Sequence, residues 1–322
     1  MLLGFDIGGT KCAVVIGSVV NDEIVIADKR VVATDKPVYE MIELLFTTAE
    51  SLLQEHHLIA GDLKGIGISC GGPLSSKKGL ILSPPNLIGW DKIPIVQMAE
   101  ERFKVKTLLQ NDANACAVAE WKYGAGKGID NLIFLTFGTG MGAGLILNGR
   151  LYSGPSDLAG EVGHIRLSDM GPVGFGKAGS FEGYCSGGGI AQLGQIKARE
   201  KLQIGEMVSF CKTIHDLPNI SAKTIAEAAL QGDELAIEVY EICAKYLGRG
   251  LAMLIDILNP EMIVLGSIYG RARQLLEPVM MEVIKQEAYD ESVDTCLIVP
   301  AGLGENIGDI AALSLALMSK NQ

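Results

Sequence analysis

Asp6 closes an apolar run, Leu2-Leu3-Gly4-Phe5, and is followed by Ile7-Gly8-Gly9-Thr10-Lys11 and a second apolar run, Cys12 to Gly17. Two strands joined by a tight glycine turn is the pattern this spacing predicts. Glycines leave backbone N–H groups uncovered, which suits a phosphate lying across them. Thr10 and Lys11 add donors, and Asp6 can hold Mg²⁺ directly or through water. An ordinary hairpin is the alternative at this point. The pattern recurs at residues 131–136, a strand, then Phe137-Gly138-Thr139-Gly140-Met141-Gly142, a turn, then 145–147, a return strand. Two such turns can clamp a nucleotide's phosphates from two sides, with Mg²⁺ between. A Walker A loop needs Gly-x₄-Gly-Lys-Ser/Thr, and no such string occurs. A dinucleotide fingerprint needs a helix after its glycines, but Gly138-Thr139-Gly140 leads into β-type sequence.

Alternation and helical spacing set the elements that must carry these groups. A third strand is expected over residues 23–34, then a helix over 39–56 and a buried strand over 63–69 that enters Cys70-Gly71-Gly72-Pro73. A helix over 95–103 and a strand over 105–109 precede Gln110-Asn111-Asp112-Ala113-Asn114, where another helix begins and runs through Tyr123. Gly124 to Gly128 reads as a hinge, and Asn148-Gly149 as a hairpin turn. Residues 171–189 are glycine-rich with little periodicity. Helices are expected over 221–231 with Ser221 as N-cap, over 235–259 up to Pro260, over 275–288 and over 307–318, with strands at 261–267 and 296–300. The last helix is expected to pack back on the first lobe. The apolar helix at 235–259 reads as core, with a homodimer surface as the alternative use.

Composition narrows the class. The 322 residues are 48% hydrophobic and 20% charged, enough for two domains with substantial cores. A net charge of −11 argues against nucleic acid as a partner, since phosphate-backbone binding needs clustered Lys and Arg. The seven cysteines are scattered without a CxxC pair and read as buried thiols in a reducing compartment. No apolar run reaches the roughly 18 residues of a membrane span, and no basic-apolar leader opens the chain. Cytoplasmic, with no membrane partner, is the expectation.

Taken in order, Asp6-Ile7-Gly8-Gly9-Thr10-Lys11, Asn111-Asp112-Ala113-Asn114, Gly138-Thr139-Gly140, Gly160-Glu161-Val162-Gly163-His164 and Ile263-Val264-Leu265-Gly266 resemble the ROK family (repressors, open reading frames, sugar kinases) over nearly the whole chain. The resemblance implies an α/β, two-lobed actin-like ATPase (ribonuclease H-like) fold with mixed sheets. Residues 1–123 plus about 305–322 would form a small lobe with the phosphate hairpin and Asp112. Residues 124–304 would form a large lobe with the second turn, the sugar loop and the adenosine site. It implies an ATP- and Mg²⁺-dependent kinase that phosphorylates a hexose, at its 6-hydroxyl, with glucose the best single substrate. N-acetylmannosamine, N-acetylglucosamine, fructose, allose and β-glucosides are alternatives. A non-catalytic sugar sensor and an actin-like ATPase acting on an acyl thioester are the rival classes. The phosphate turn starts at residue 6, so the family's N-terminal DNA-binding domain is not expected.

Carried over by residue, Asp112 resembles the catalytic base and Asn111 a sugar ligand beside it. The plain alternative for Asp112 is a helix N-cap. Glu161, His164 and Glu182 resemble the acceptors for the other sugar hydroxyls; a polar loop and a solvated surface are the plain alternatives. Gly71 and Gly72 would bring backbone near the sugar, although relatives often carry Pro-Gly there. Asp6, Gly8, Gly9, Thr10, Lys11, Gly138, Thr139 and Gly140 would serve the phosphates and Mg²⁺, and Gly266 the adenosine. Many relatives bind a structural zinc through three cysteines and the His of the Gly-His motif. Val173, Phe175 and Ser180 hold the cysteine positions here, and one imidazole does not make such a site. No zinc is expected, and apolar packing by Val173 and Phe175 is expected to hold the sugar loop instead.

Overall fold

The opening runs form β1 (Leu2–Ile7) and β2 (Lys11–Val20), and β3 (Glu23–Ala33) extends the antiparallel meander. The computed structural model, in which these strands are seen, describes residues 1–319. The helix α1 (Val38–Glu55) follows and buries Met41, Ile42, Leu45, Phe46, Ala49, Leu52 and Leu53, the face that its 3.6-residue period presents. Next come β4 (Ile66–Cys70), the short hairpin β5 (Leu74–Ser75) and β6 (Leu80–Ile81), α2 (Ile95–Phe103), β7 (Thr107–Asn111) and α3 (Asp112–Tyr123). The sheet runs β3-β2-β1-β4-β7, with β1, β4 and β7 parallel. It is therefore mixed. Phe5, Phe46 and Phe103 meet in its core with edge-on contacts at 5.8 and 5.4 Å.

The chain divides into two compact units: 1–130, 144–159 and 302 onward in one, and 131–143 with 160–301 in the other. In the second unit stands β8 (Leu132–Leu135). The segment after it supplies β9 (Ala143–Leu147) and β10 (Arg150–Leu151), joined by the expected Asn148-Gly149 turn with φ of 53° and 67°. The second unit continues through β11 (Val173–Gly174), β12 (Lys177–Ala178), α4 (Phe181–Tyr184), α5 (Gly187–Gln203), α6 (Ala222–Leu230), α7 (Glu234–Leu258), β13 (Met262–Leu265), α8 (Ile268–Glu287), α9 (Asp290–Thr295) and β14 (Leu297–Pro300). Its β8, β13 and β14 pair in parallel. One face of α7 is core: Val239, Tyr240, Cys243, Leu247, Leu251 and Ile255 are buried.

The last helix, α10 (Ile307–Ser319), lies against the sheet of the first unit. Gly67 makes that approach possible, because a Cβ there would run into Ala312 O and stand 2.8 Å from Leu315 Cβ.

Three features depart from the sequence reading. The 171–189 stretch is not uniformly irregular: α5 starts inside it, with the Ser186 hydroxyl capping Gly189 N–H at 3.0 Å. Three consecutive glycines hide this helix from propensity, yet a Cβ on Gly189 would collide with Gly183 O. The helix expected from residue 275 begins at Ile268. Its first turn is set off by non-helical Ala272, φ −120°, which breaks the period. The short α9 had no periodic signal.

Candidate functional site

In the first unit, β1 delivers Asp6 and Ile7 to a turn whose carbonyls are used by the protein. Gly8 O accepts from the Thr34 hydroxyl at 2.7 Å and Thr10 O from Thr34 N–H at 3.0 Å, while Gly8 N–H donates to Lys11 O at 3.2 Å. The N–H groups of Gly9 and Thr10 have no acceptor among the described residues. A Cβ on Gly9 would overlap Asn86 O, so only glycine lets the loop carrying Asn86 close on this turn.

A cavity of about 410 Å³ opens beside it, lined by Asp6, Gly8, Gly9, Thr10, Lys11, Lys29, Gly71, Gly72, Asn86, Asp112, Glu305, Gly308 and Asp309. Asn111, at the end of β7, is the N-cap of α3, its Oδ1 accepting from Ala113 N–H at 2.9 Å and from Asn114 N–H at 3.5 Å. Asp112 is thus the first helical residue and not the cap. One of its oxygens accepts from Ala113 N–H at 2.8 Å, and the side chain opens on the cavity. Asn111 Nδ2 faces Gly72, 3.1 Å from where a Cβ would sit.

Charge is crowded here. Burial first, then the neighbouring Asp112 and Asp309 carboxylates, push Asp6 up to about 6, against a hydrogen bond from Ser69 and the positive Lys29. Burial also raises Asp112, opposed by the Ala113 N–H. Lys29 reaches Asp309 at 2.6 Å, and the Asp309 side chain is only 3% exposed. Lys29, Asn86, Glu305 and Asp309 escaped the sequence reading. Asp309 carried a signal: a lone carboxylate in the apolar run Ile307 to Met318 needs a partner once the helix is buried.

In the second unit the Gly138-Thr139-Gly140 turn repeats the first. Gly138 O accepts from Gly187 N–H at 2.8 Å and Gly138 N–H donates to Gly140 O at 3.0 Å. The Thr139 and Gly140 N–H groups have no acceptor among the described residues. Met141 N–H donates to Glu182 Oε2 at 3.0 Å. Glu182 sits in the first turn of α4, which Ser180 caps through Gly183 N–H at 3.1 Å. Glu161 precedes a short 3-10 turn that His164 ends, with Glu161 Oε2 3.9 Å from His164 Nε2. Gly266 follows β13, its N–H donating to Leu135 O at 2.9 Å.

One expectation is overturned. Val173 and Phe175 do not pack as an apolar plug; they are 47% and 64% exposed. A two-residue hairpin turn at Phe175-Gly176 points these positions outward, and polar contacts hold the loop. Gln192 brackets Val173, accepting from its N–H and donating to its C=O, both at 2.9 Å. Ser180, the third position that the resemblance compares with a cysteine, is buried in capping α4. With Val, Phe and Ser at 173, 175 and 180, these positions offer His164 no thiolate partner. No described helix is long and apolar enough to cross a membrane.

The ROK family model matches residues 2–319. The chain belongs to the ROK family. It is 32% identical over 326 residues to a glucokinase of Halalkalibacterium halodurans, covering 99% of this chain and 96% of the relative. An Escherichia coli N-acetylmannosamine kinase is 31% identical over 89% of each chain. A xylose repressor of Caldicellulosiruptor bescii is 27% identical over 89% of this chain and 71% of its own. Among solved structures, a ROK family glucokinase of Streptomyces griseus in complex with glucose and AMPPNP superposes with a TM-score of 0.78 at 28% identity, covering 98% of this chain and 99% of the other. The fold of this ROK protein is accordingly that of the actin-like ATPases, with mixed α/β sheets.

Proposed function

We propose that this ROK protein is an ATP-dependent sugar kinase that transfers the γ-phosphoryl group to a hexose, at its 6-hydroxyl, and that glucose is its substrate. The observation that carries the reading is the cavity shared by Asp112 and the Gly8–Lys11 turn. A carboxylate at the start of a helix and a row of uncommitted N–H groups line one space, which suits a hydroxyl to be deprotonated beside a phosphate.

In the reaction, Asp112 takes the hydroxyl proton as that oxygen bonds to the γ-phosphorus and the bond to the β,γ-bridging oxygen breaks, releasing ADP. Its raised pKa makes it a stronger proton acceptor than a solvated carboxylate once ionised. Asn111 offers Nδ2 to the sugar, since its Oδ1 is spent on the α3 cap. Glu161, His164 and Glu182 accept or donate to the remaining hydroxyls, so an analogue lacking one leaves a polar group unpaired. Gly9, Thr10, Lys11, Gly138, Thr139 and Gly140 bind phosphate oxygens, and Gly266 lies at the adenosine.

Asp6 fits an Mg²⁺ role: it is crowded by Asp112 and Asp309, a repulsion that a cation relieves. Mg²⁺ would neutralise charge on the β- and γ-oxygens. Zinc does not fit, and no step uses it.

The glucokinase relative at 32% identity supports glucose, and the N-acetylmannosamine kinase at 31% keeps an N-acetylhexosamine as the second reading. ADP release measured with ATP, Mg²⁺ and a panel of glucose, N-acetylmannosamine, N-acetylglucosamine, fructose, allose and β-glucosides decides between them. Glucose should give the highest kcat/KM. ADP release with none of them would overturn the kinase reading in favour of a sugar sensor.

A further inference from the structure

Neither a thiolate nor an apolar plug stands at Val173, Phe175 or Ser180 to fix His164. The turn between β11 and β12 has φ of 45° at Phe175 and 74° at Gly176, the left-handed pair of a type I′ hairpin. Asn and Gly favour that conformation; an aromatic residue at its first position is strained. Phe175 is also 64% exposed, so core burial does not offset that cost. Its ring meets the His164 imidazole edge to face, with centroids 5.0 Å apart and planes at 80°. The adjacent Lys177 Nζ donates to His164 O at 2.7 Å. One turn thus grips the side chain and the backbone of the same residue. Gln192 and Arg166 fix the two strands at the base of the hairpin, Gln192 through Val173 and Arg166 by donating to Ala178 O at 2.9 Å.

We propose that the Phe175-Gly176-Lys177 turn is a metal-free positioning device for His164, with Phe175 setting the imidazole plane and Lys177 pinning its carbonyl, so that Phe175 is a determinant of sugar affinity. The last clause rests on the kinase reading above. The positioning itself does not.

The test has two arms. In the ligand-free protein, the four histidines give four imidazole Hε1 signals, and loss of one in His164→Gln assigns it. Phe175→Leu should move the His164 signal away from its ring-shifted position and leave the other three in place. An unmoved signal overturns the positioning. In the kinase assay, Phe175→Leu should raise the sugar KM about 3- to 10-fold, with ATP KM and kcat within twofold. Phe175→Tyr should restore the wild-type value, and Lys177→Met should act in the same direction as Phe175→Leu. A sugar KM that stays put, or one that rises together with ATP KM while the melting temperature falls, overturns the affinity role. If no sugar is phosphorylated, the kinase reading fails and the imidazole signal still decides the positioning.

Discussion

Glu182 Oε2 accepts the Met141 N–H at 3.0 Å, and a Cβ on Gly140 would stand 2.8 Å from that same oxygen. The carboxylate assigned to the sugar and the turn assigned to the phosphates are therefore one mechanical piece. Glu182→Ala should raise the KM for both substrates, about tenfold for the sugar and about fivefold for ATP, the latter being the scale of one lost hydrogen bond. Glu182→Gln keeps a carbonyl acceptor for Met141, so it should spare ATP and weaken only the sugar. Glu161 Oε2 lies 3.9 Å from His164 Nε2, and Glu161→Ala should raise the sugar KM. Steady-state kinetics with each substrate varied separately reads the split; equal ATP KM in Glu182→Ala and wild type would break the link.

At the start of α3 the helix cap and the proton acceptor are different residues. Asn111 caps the helix, so Asn111→Ala should cost about 1 kcal/mol in a urea melt. Asp112 lies inside the first turn and can change without losing the cap. Asp112→Asn should not lower the melting temperature, and it should keep its calorimetric affinity for sugar while kcat falls about 10³-fold. Turnover within tenfold of wild type would remove Asp112 from the role of base.

The contrast between these neighbours also marks what sequence can carry. Asp6 to Lys11, Asn111-Asp112 and Gly138 to Gly140 were legible because their chemistry is local: a turn needs glycine, and a cap needs a short polar side chain. The long helices α1 and α7 were legible from period alone. The start of α5 was not, since Gly187 to Gly189 answer to a close backbone approach and not to helix propensity. Nor was the outward turn of Phe175. Val173 and Phe175 are apolar and suggest burial, and only the left-handed backbone and their exposure show otherwise. The Lys29–Asp309 pair, 280 residues apart, depends on tertiary packing and has no local pattern.

Asp6 titrates near 6 in the folded chain, above its ordinary value of 3.8, chiefly through burial. Between those values the folded state holds more protons than the unfolded state. Stability should therefore be fullest below about pH 4, fall as pH rises through about 6 and then level, by up to about 3 kcal/mol from this group. Asp6→Asn should remove that slope and raise the melting temperature at pH 8, with little change at pH 4. Binding of Mg²⁺–ADP to the wild type should weaken below about pH 6, as protons compete for the carboxylate. Melting curves and calorimetric titrations across pH 4 to 8 check both; a wild-type slope unchanged in Asp6→Asn would assign it to another group.

The ion pair of Lys29 and Asp309 ties β3 to the first turn of α10 beside this carboxylate. Removing one partner leaves a nearly buried charge uncompensated, whereas removing both does not. With the Lys29 side chain 39% exposed, solvent screens part of the interaction. Lys29→Met should accordingly cost about 2 kcal/mol at pH 7, less than for a fully buried pair. Adding Asp309→Asn should return most of that loss, a coupling of at least about 1 kcal/mol in a double-mutant cycle. Lys29 also lowers the Asp6 pKa, so Lys29→Met should move the acid limb of Mg²⁺–ADP binding to higher pH. Additive losses in the cycle, with the pH limb unmoved, would reduce the pair to a surface contact with no hold on the site.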